Sequence, residues 1–283
     1  MNRHVVSVAL ICAVAARVLG AVPAYDTLIA HRGESIDAPE NTMPAYKMAV
    51  ERGFGFECDI YLSKDGRLFA FHDKTLTRTT GGANTNRCND VTWDEISSID
   101  VGNWGKWKGS KFAGTRLALL GDILKLARDG RWIYVEIKHK TADIVPYIKA
   151  VFAKQDKATP KNTLFLCAPA VAKALKREMP EYKALWCTNC RRGWKKNSIP
   201  FKVEEIVAGL KDIGCAGVDI RFDREVITEG FVKTVKDAGF ECHVWTVDVL
   251  SDAQEAFRRG VDTVTSNCPK RLMEEYSKLA SGK

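Results

Sequence analysis

The chain has 283 residues, 46% of them hydrophobic and 28% charged, with a formal net charge of +8. That is globular composition with enough apolar material for a large core, and it excludes a disordered or low-complexity chain. The length admits two ordinary domains or one α/β barrel, and the mild positive charge suits acidic substrates, a membrane surface or plain solubility.

At the N-terminus, Arg3 precedes an uncharged apolar run over residues 5–16, and Gly20, Ala21 and Ala24 follow. This pattern reads as a signal peptide over residues 1–21, cleaved around 20–24, and hence an exported protein, periplasmic or extracellular. The run is short for a bilayer and Arg17 interrupts it. A buried N-terminal helix or strand is the competing reading. Ile11 before Cys12 is not small, which argues against a lipoprotein site. Residues 26–279 then form a single domain.

Strand candidates follow in order: TLIAHRG, FECDIYL, LFAFHD, WIYVEIK, TLFLCA, YKALWC, GVDIRF, CHVWTV and DTVTSN. Helical periodicity falls at 43–52, 119–129, 142–154, 170–178, 203–212, 228–238 and 251–259. Gly53, Gly130, Gly239 and Gly260 close four of these segments. Strand–helix alternation of this kind predicts parallel βαβ units, and about eight repeats predict a (β/α)8 TIM barrel. Nine candidates for eight places leave two options: LFAFHD is an extra strand beside the barrel, or a later candidate is wrong. Residues 75–115, rich in Gly, Thr, Asn and Ser, break the rhythm and read as an insertion.

In FECDIYL, Phe56, Cys58, Ile60 and Leu62 share one face, and Glu57, Asp59 and Tyr61 the other. In WIYVEIK, Tyr134, Glu136 and Lys138 share the polar face. A barrel gathers strand ends at one mouth, so Glu57, Asp59 and Glu136 would converge there. Three carboxylates need counter-charge, either separate ion pairs or one divalent cation, and an all-oxygen donor set favours Mg2+ or Ca2+. His31 and His72 end two strands and suit acid–base work, while Arg32 and Lys138 supply fixed charge for an anion such as phosphate. Cys58, Cys167 and Cys242 read as buried thiols. Cys187 and Cys190 form a lone C-x-x-C, which suits a local disulfide or two free thiols better than zinc.

The run AHRGESIDAPENTMPAYKMAVERGFGFECDIYLSKDGRLFAFHDKTLTRTT resembles the N-terminal signature of glycerophosphodiester phosphodiesterases. The matches are His31-Arg32-Gly33, the PENT at 39–42, Glu57 and Asp59, Lys64-Asp65-Gly66 and His72-Asp73. VEIK at 135–138 and VWTVD at 244–248 extend the resemblance, which runs from about 28 to 270. It implies a distorted TIM barrel of the phospholipase-C-like phosphodiesterase type, with a small insertion after the second or third strand. It implies His31 and His72 as general acid and base, Glu57, Asp59 and Glu136 as metal ligands for Mg2+ or Ca2+, Arg32 and Lys138 as phosphate binders, and Trp245 in the pocket wall. Thr42 is expected to cap the first helix, with Pro44 in its first turn. The substrate implied is a small glycerophosphodiester, not a nucleic acid.

Three departures from the family pattern stand out: Asp248 after VWTV, Thr265-Ser266-Asn267 near the C-terminus, and LALL at 117–120. None is expected to touch the acid–base pair or the metal ligands, though they bear on the pocket wall. RRGWKK at 191–196 suits a lipid headgroup, with transient membrane contact, or a polyanionic substrate, or is a solvated loop. Asp219 and Arg221 share a strand face and are expected to pair. Two other functions compete with diester hydrolysis: phospholipase action on lyso- or intact phospholipids, and a non-catalytic barrel that binds phosphodiesters or a surface.

Overall fold

The computed structural model describes residues 22–127, 130–155 and 162–281; the expected leader at 1–21 lies outside the described residues. The strands are β1 (Leu28–Ala30), β2 (Gly55–Leu62), β3 (Leu68–Ala70), β4 (Ile133–Ile137), β5 (Thr163–Cys167), β6 (Lys183–Thr188), β7 (Gly217–Arg221), β8 (Glu241–Trp245) and β9 (Thr263–Ser266). Eight of them run parallel in the closed order β1-β2-β4-β5-β6-β7-β8-β9, with β9 returning to β1. The barrel expected from strand–helix alternation is therefore present.

The ninth strand resolves the strand count. β3 pairs antiparallel with the second half of β2, Ile60 opposite Ala70 and Leu62 opposite Leu68, and lies outside the barrel. β2 is eight residues long while β1 has only three. Its first half pairs with β1, which leaves an edge on its second half that β3 covers. The Ser63–Arg67 turn that reverses the chain is closed by Ser63 N–H to Arg67 O at 2.8 Å and by the Ser63 hydroxyl donating to Asp65 at 2.6 Å.

The helices are α1 (Met43–Glu51), α2 (Trp93–Ile96), α3 (Leu120–Leu124), α4 (Val145–Phe152), α5 (Pro169–Glu178), α6 (Val203–Ile213), α7 (Glu229–Asp237), α8 (Leu250–Arg258) and α9 (Pro269–Ala280). Thr42 caps α1 by accepting from Ala45 N–H at 3.5 Å, and Pro44 sits in its first turn. The four closing glycines all have positive φ. α9 was missing from the helix expectations, although Pro269 opens it and Leu272, Met273 and Tyr276 form its buried stripe. α3 is shorter than the 119–129 periodicity suggested, because the chain leaves the helix after Leu124. Among the described residues no helix is long and apolar enough to cross a membrane.

Strand alternation divides the core. Phe56, Cys58, Ile60, Val135 and Phe165 point outward and pack with the helices, each large apolar side chain contributing roughly 1.5–3 kcal/mol. Ile29, Tyr134, Leu164, Leu166 and Leu185 fill the barrel interior as a second cluster. A buried polar plug completes that interior: His243 Nδ1 lies 2.7 Å from Thr263 Oγ1 and 3.1 Å from the Tyr134 hydroxyl. A third cluster, including Phe69, Phe71, Leu76, Cys88, Ile96 and Val101, lies under the 75–115 segment and gives it a small core of its own. All eight described cysteines are free, Cys187 and Cys190 among them.

Gly33 sets the chain's exit from β1. Its φ is +76°, and a Cβ there would stand 2.6 Å from the carbonyl carbon of Ala45 in α1. Strain and overlap act together, so Gly33→Ala should destabilise the fold by about 2–4 kcal/mol in urea unfolding. A loss under 1 kcal/mol would show that α1 can shift away.

Candidate active site

Strand register brings the carboxylates together. Asp59 on β2 pairs in register with Glu136 on β4, so both side chains enter the barrel at one height on neighbouring strands, which stand about 4.8 Å apart. Glu57 lies one inward position below Asp59. The three residues offer oxygens that all lie within 4.8 Å of one another.

Two cations meet this charge. Lys138 Nζ is 2.8 Å from Asp59 Oδ1 and 2.6 Å from Glu136 Oε1. Arg32 Nε is 3.3 Å from Asp59 Oδ2, and its Nη1 is 2.8 Å from Glu40. Asn41 adds a third donor, from Nδ2 to Asp59 Oδ2 at 2.7 Å, while its Oδ1 accepts from Asp59 N–H and from the Tyr46 hydroxyl. Burial pushes the Asp59 carboxyl up, but Lys138 and Arg32 outweigh it and hold the group below its ordinary range.

Glu57 is treated differently. Its Oε2 accepts from Arg32 N–H at 2.9 Å, but its Oε1 is buried with no hydrogen-bond partner. Burial, reinforced by Asp59 and Glu136, pushes its carboxyl well above the usual range, and Glu136 is raised by burial despite Lys138. Three carboxylates thus face two cations, one of them shared with Glu40. The buried open oxygen and the all-oxygen donor set fit a hard divalent cation.

Both histidines are oriented. Asn267 Nδ2 donates to Asp248 Oδ2 at 2.6 Å, and a carboxylate can only accept, so the amide oxygen must face His31. That oxygen is 2.7 Å from His31 Nδ1. His31 therefore donates from Nδ1 and keeps a lone pair on Nε2, which stands 3.9 Å from Glu57 Oε2. Burial and the adjacent Arg32 guanidinium push His31 down to about 4. His72 follows β3 directly: Phe71 N–H donates to Asp59 O at 3.0 Å, which carries the next residue over the carboxylates. His72 Nδ1 donates to Asp73 at 2.8 Å, and Arg78 bonds both Asp73 and Glu40. Against burial, the bonds from Arg78 and His72 hold Asp73 down at about 2.

Around these groups lies a cavity of about 890 Å3 at the C-terminal ends of the strands. His31, Arg32, Glu57, His72, Glu136 and Lys138 line it from β1 to β4, and Trp245, Asp219 and Thr265 from β7 to β9. All eight predicted site residues converge here, although Asp59, 0% exposed, touches Lys138 and Arg32 without reaching the cavity wall. The 191–196 loop stands on this face. Trp194 is 72% exposed, lines the cavity and lies 6.4 Å from the Trp245 ring. Arg191 and Arg192 are tied to Asp223 and Glu205.

Two expectations are corrected. Asn267 does touch His31 of the histidine pair, and Asp248 acts through it rather than in the pocket wall. Asp219 and Arg221 do not pair: Asp219 is buried inside the barrel, while Arg221 is exposed and donates to the Trp194 carbonyl. In the sequence Asn41 stands only as one letter of the PENT match at 39–42. Its φ of +55° and that of Arg32, +58°, are left-handed, and Asn41 N–H donates to Arg32 O at 3.0 Å, locking the two residues that hold Asp59.

Fold and site together define a (β/α)8 hydrolase of phosphoric diesters. The chain matches the glycerophosphoryl diester phosphodiesterase family over residues 31–271 and belongs to it. It is 31% identical over 262 residues to the glycerophosphodiester phosphodiesterase of Caldanaerobacter subterraneus subsp. tengcongensis, covering 87% of this chain and 96% of that one. Two solved structures share the fold. A phosphodiesterase of Oleispira antarctica, in complex with the product sn-glycerol-3-phosphate, has a TM-score of 0.75 at 24% identity over 89% of this chain and 96% of that one. A glycerophosphodiester phosphodiesterase of Agrobacterium tumefaciens has a TM-score of 0.67 at 21% identity over 88% and 99%.

His31 should stay neutral down to about pH 4 in the metal-free protein, charging only below that. Following its imidazole by NMR checks this, and Arg32→Gln should move the midpoint upward. A midpoint at the ordinary value of about 6.5 would mean that burial does not govern this ring. Lys138→Met should cost about 3–5 kcal/mol in denaturant unfolding, because it leaves Asp59 short of a buried counter-charge.

Proposed function

We propose that this enzyme hydrolyses glycerophosphodiesters to glycerol 3-phosphate and an alcohol, with His31 and His72 as the acid–base pair. The observation that carries the reading is the buried triad Glu57, Asp59 and Glu136, with its open Glu57 oxygen, beside two oriented histidines. Family membership and the activity named for the Caldanaerobacter relative support the substrate class.

A hard divalent cation, Mg2+ or Ca2+, held by Glu57, Asp59 and Glu136 would polarise the phosphate and ease deprotonation of the attacking water. Arg32 and Lys138 bind and orient the phosphate as fixed positive charge. The lone pair on His31 Nε2 suits it to take a proton from the attacking water as the water oxygen bonds to phosphorus. His72, donating from Nδ1 to an anionic Asp73, then gives the proton from Nε2 to the departing alcohol oxygen as the second P–O bond breaks. Trp245 walls the pocket. The leader-like run at residues 5–16 supports action outside the cytoplasm.

A second reading, hydrolysis of lysophospholipids, is favoured by the exposed Trp194 at the cavity rim. A substrate panel with and without chelator separates the two. Glycerophosphocholine should be cleaved faster than lysophosphatidylcholine, and metal removal should abolish turnover. Preference for the lipid would replace the first reading with the second. Activity untouched by complete chelation would refute the carboxylate assignment. His31→Ala and His72→Ala should each lower kcat by roughly 10²–10⁴ while melting stays within a few degrees. A near-wild-type rate in either removes that residue from the mechanism.

A further inference from the structure

Among the described residues, three buried side-chain oxygens without a hydrogen-bond partner belong to residues that line the cavity: Glu57 Oε1, Asp219 Oδ1 and Thr265 Oγ1. The first belongs to the carboxylate triad. The other two are unexplained by it. Asp219 is 1% exposed and Thr265 2%, on β7 and β9, so they flank β8 with its terminal Trp245. The Trp245 indole N–H donates to the Asp219 carbonyl at 3.2 Å, which fixes the aromatic wall beside them. Cys187 and Leu166 line the cavity next to them and add weakly polar and apolar surface. A buried oxygen left unsatisfied costs about 1–3 kcal/mol, and this wall holds two.

We propose that Asp219 and Thr265 form the glycerol subsite, each meeting one of the two free hydroxyls of the substrate's glycerol. The assignment rests on the glycerophosphodiester reading and deepens it. A carboxyl and a hydroxyl match two alcohol groups, since an alcohol both donates and accepts. With the phosphate on Arg32 and Lys138, the glycerol end points inward beneath Trp245. The leaving alcohol then points to the mouth, where Trp194 is largely exposed. Selectivity is therefore strict for glycerol and loose for the alcohol, because only the buried end leaves polar protein groups unpaired when the wrong group binds.

The test compares glycerophosphocholine with propyl phosphocholine, which keeps the diester and the leaving group but lacks both glycerol hydroxyls. Wild type should prefer the glyceryl ester. Asp219→Leu and Thr265→Val should each reduce the ratio of the two kcat/KM values about 10- to 100-fold, and Asp219→Asn, which still pairs with a hydroxyl, should restore much of it. Inhibition by sn-glycerol 3-phosphate should weaken in the Leu and Val variants relative to inhibition by inorganic phosphate. An unchanged ratio would mean that the two oxygens hold only water, and overturns the subsite. Equal loss on both substrates would assign the residues to folding or catalysis, and also overturns it. If wild type cleaves neither ester, the glycerophosphodiester reading fails on its own. Calorimetric binding of sn-glycerol 3-phosphate against phosphate, in wild type and Thr265→Val, then still decides the subsite: no difference between the two proteins overturns it.

Discussion

A carboxylate with no access to solvent, Asp59, organises this molecule. Its charge is held by Lys138, Arg32 and Asn41, which arrive from β4, from the end of β1 and from the loop before α1. Desolvating a carboxylate costs several kcal/mol unless such partners are in place. The two left-handed residues Arg32 and Asn41, and the close approach of Gly33 to α1, are the backbone arrangements that put them there. Asp59 is thus paired from several sides, while Glu57 keeps an open oxygen.

The same strand also delivers His72. β2 outruns β1, and β3 covers the edge left over, bonding to the backbone of Asp59 itself. His72 is consequently referenced to the carboxylates through one hydrogen bond rather than through a long loop. Its further support, Asp73–Arg78–Glu40, runs back to Arg32, so the groups around His72 and those around Asp59 form one charge network. His31 is supported from the opposite side of the closure, by Asn267 just after β9.

Much of this was legible in the chain. Alternation in FECDIYL and WIYVEIK assigned inward and outward faces correctly, because the pleat has a period of two residues wherever the strand lies. The barrel followed from repeated strand–helix spacing. α9 was legible from Pro269 and its Leu272–Tyr276 stripe but fell outside the periodicity considered. The supports of the histidines were not legible. Asn267 lies 236 residues from His31, and no local pattern marks an amide whose orientation depends on a third residue, Asp248. Asp219 and Arg221 share a strand face, yet one is buried in the barrel and the other emerges above its rim, a difference of depth that sequence spacing does not encode.

The sequence by itself determined the barrel, the carboxylate triad, both histidines and the two cations, because these depend on residue type, on a strand's two-residue period and on position at a strand's end. Tertiary structure decided which carboxylates are neutralised, which tautomer His31 adopts, where the ninth strand lies and which polar groups remain open inside the cavity. Those properties depend on burial and on partners far away in sequence, and both come into being only when the barrel closes.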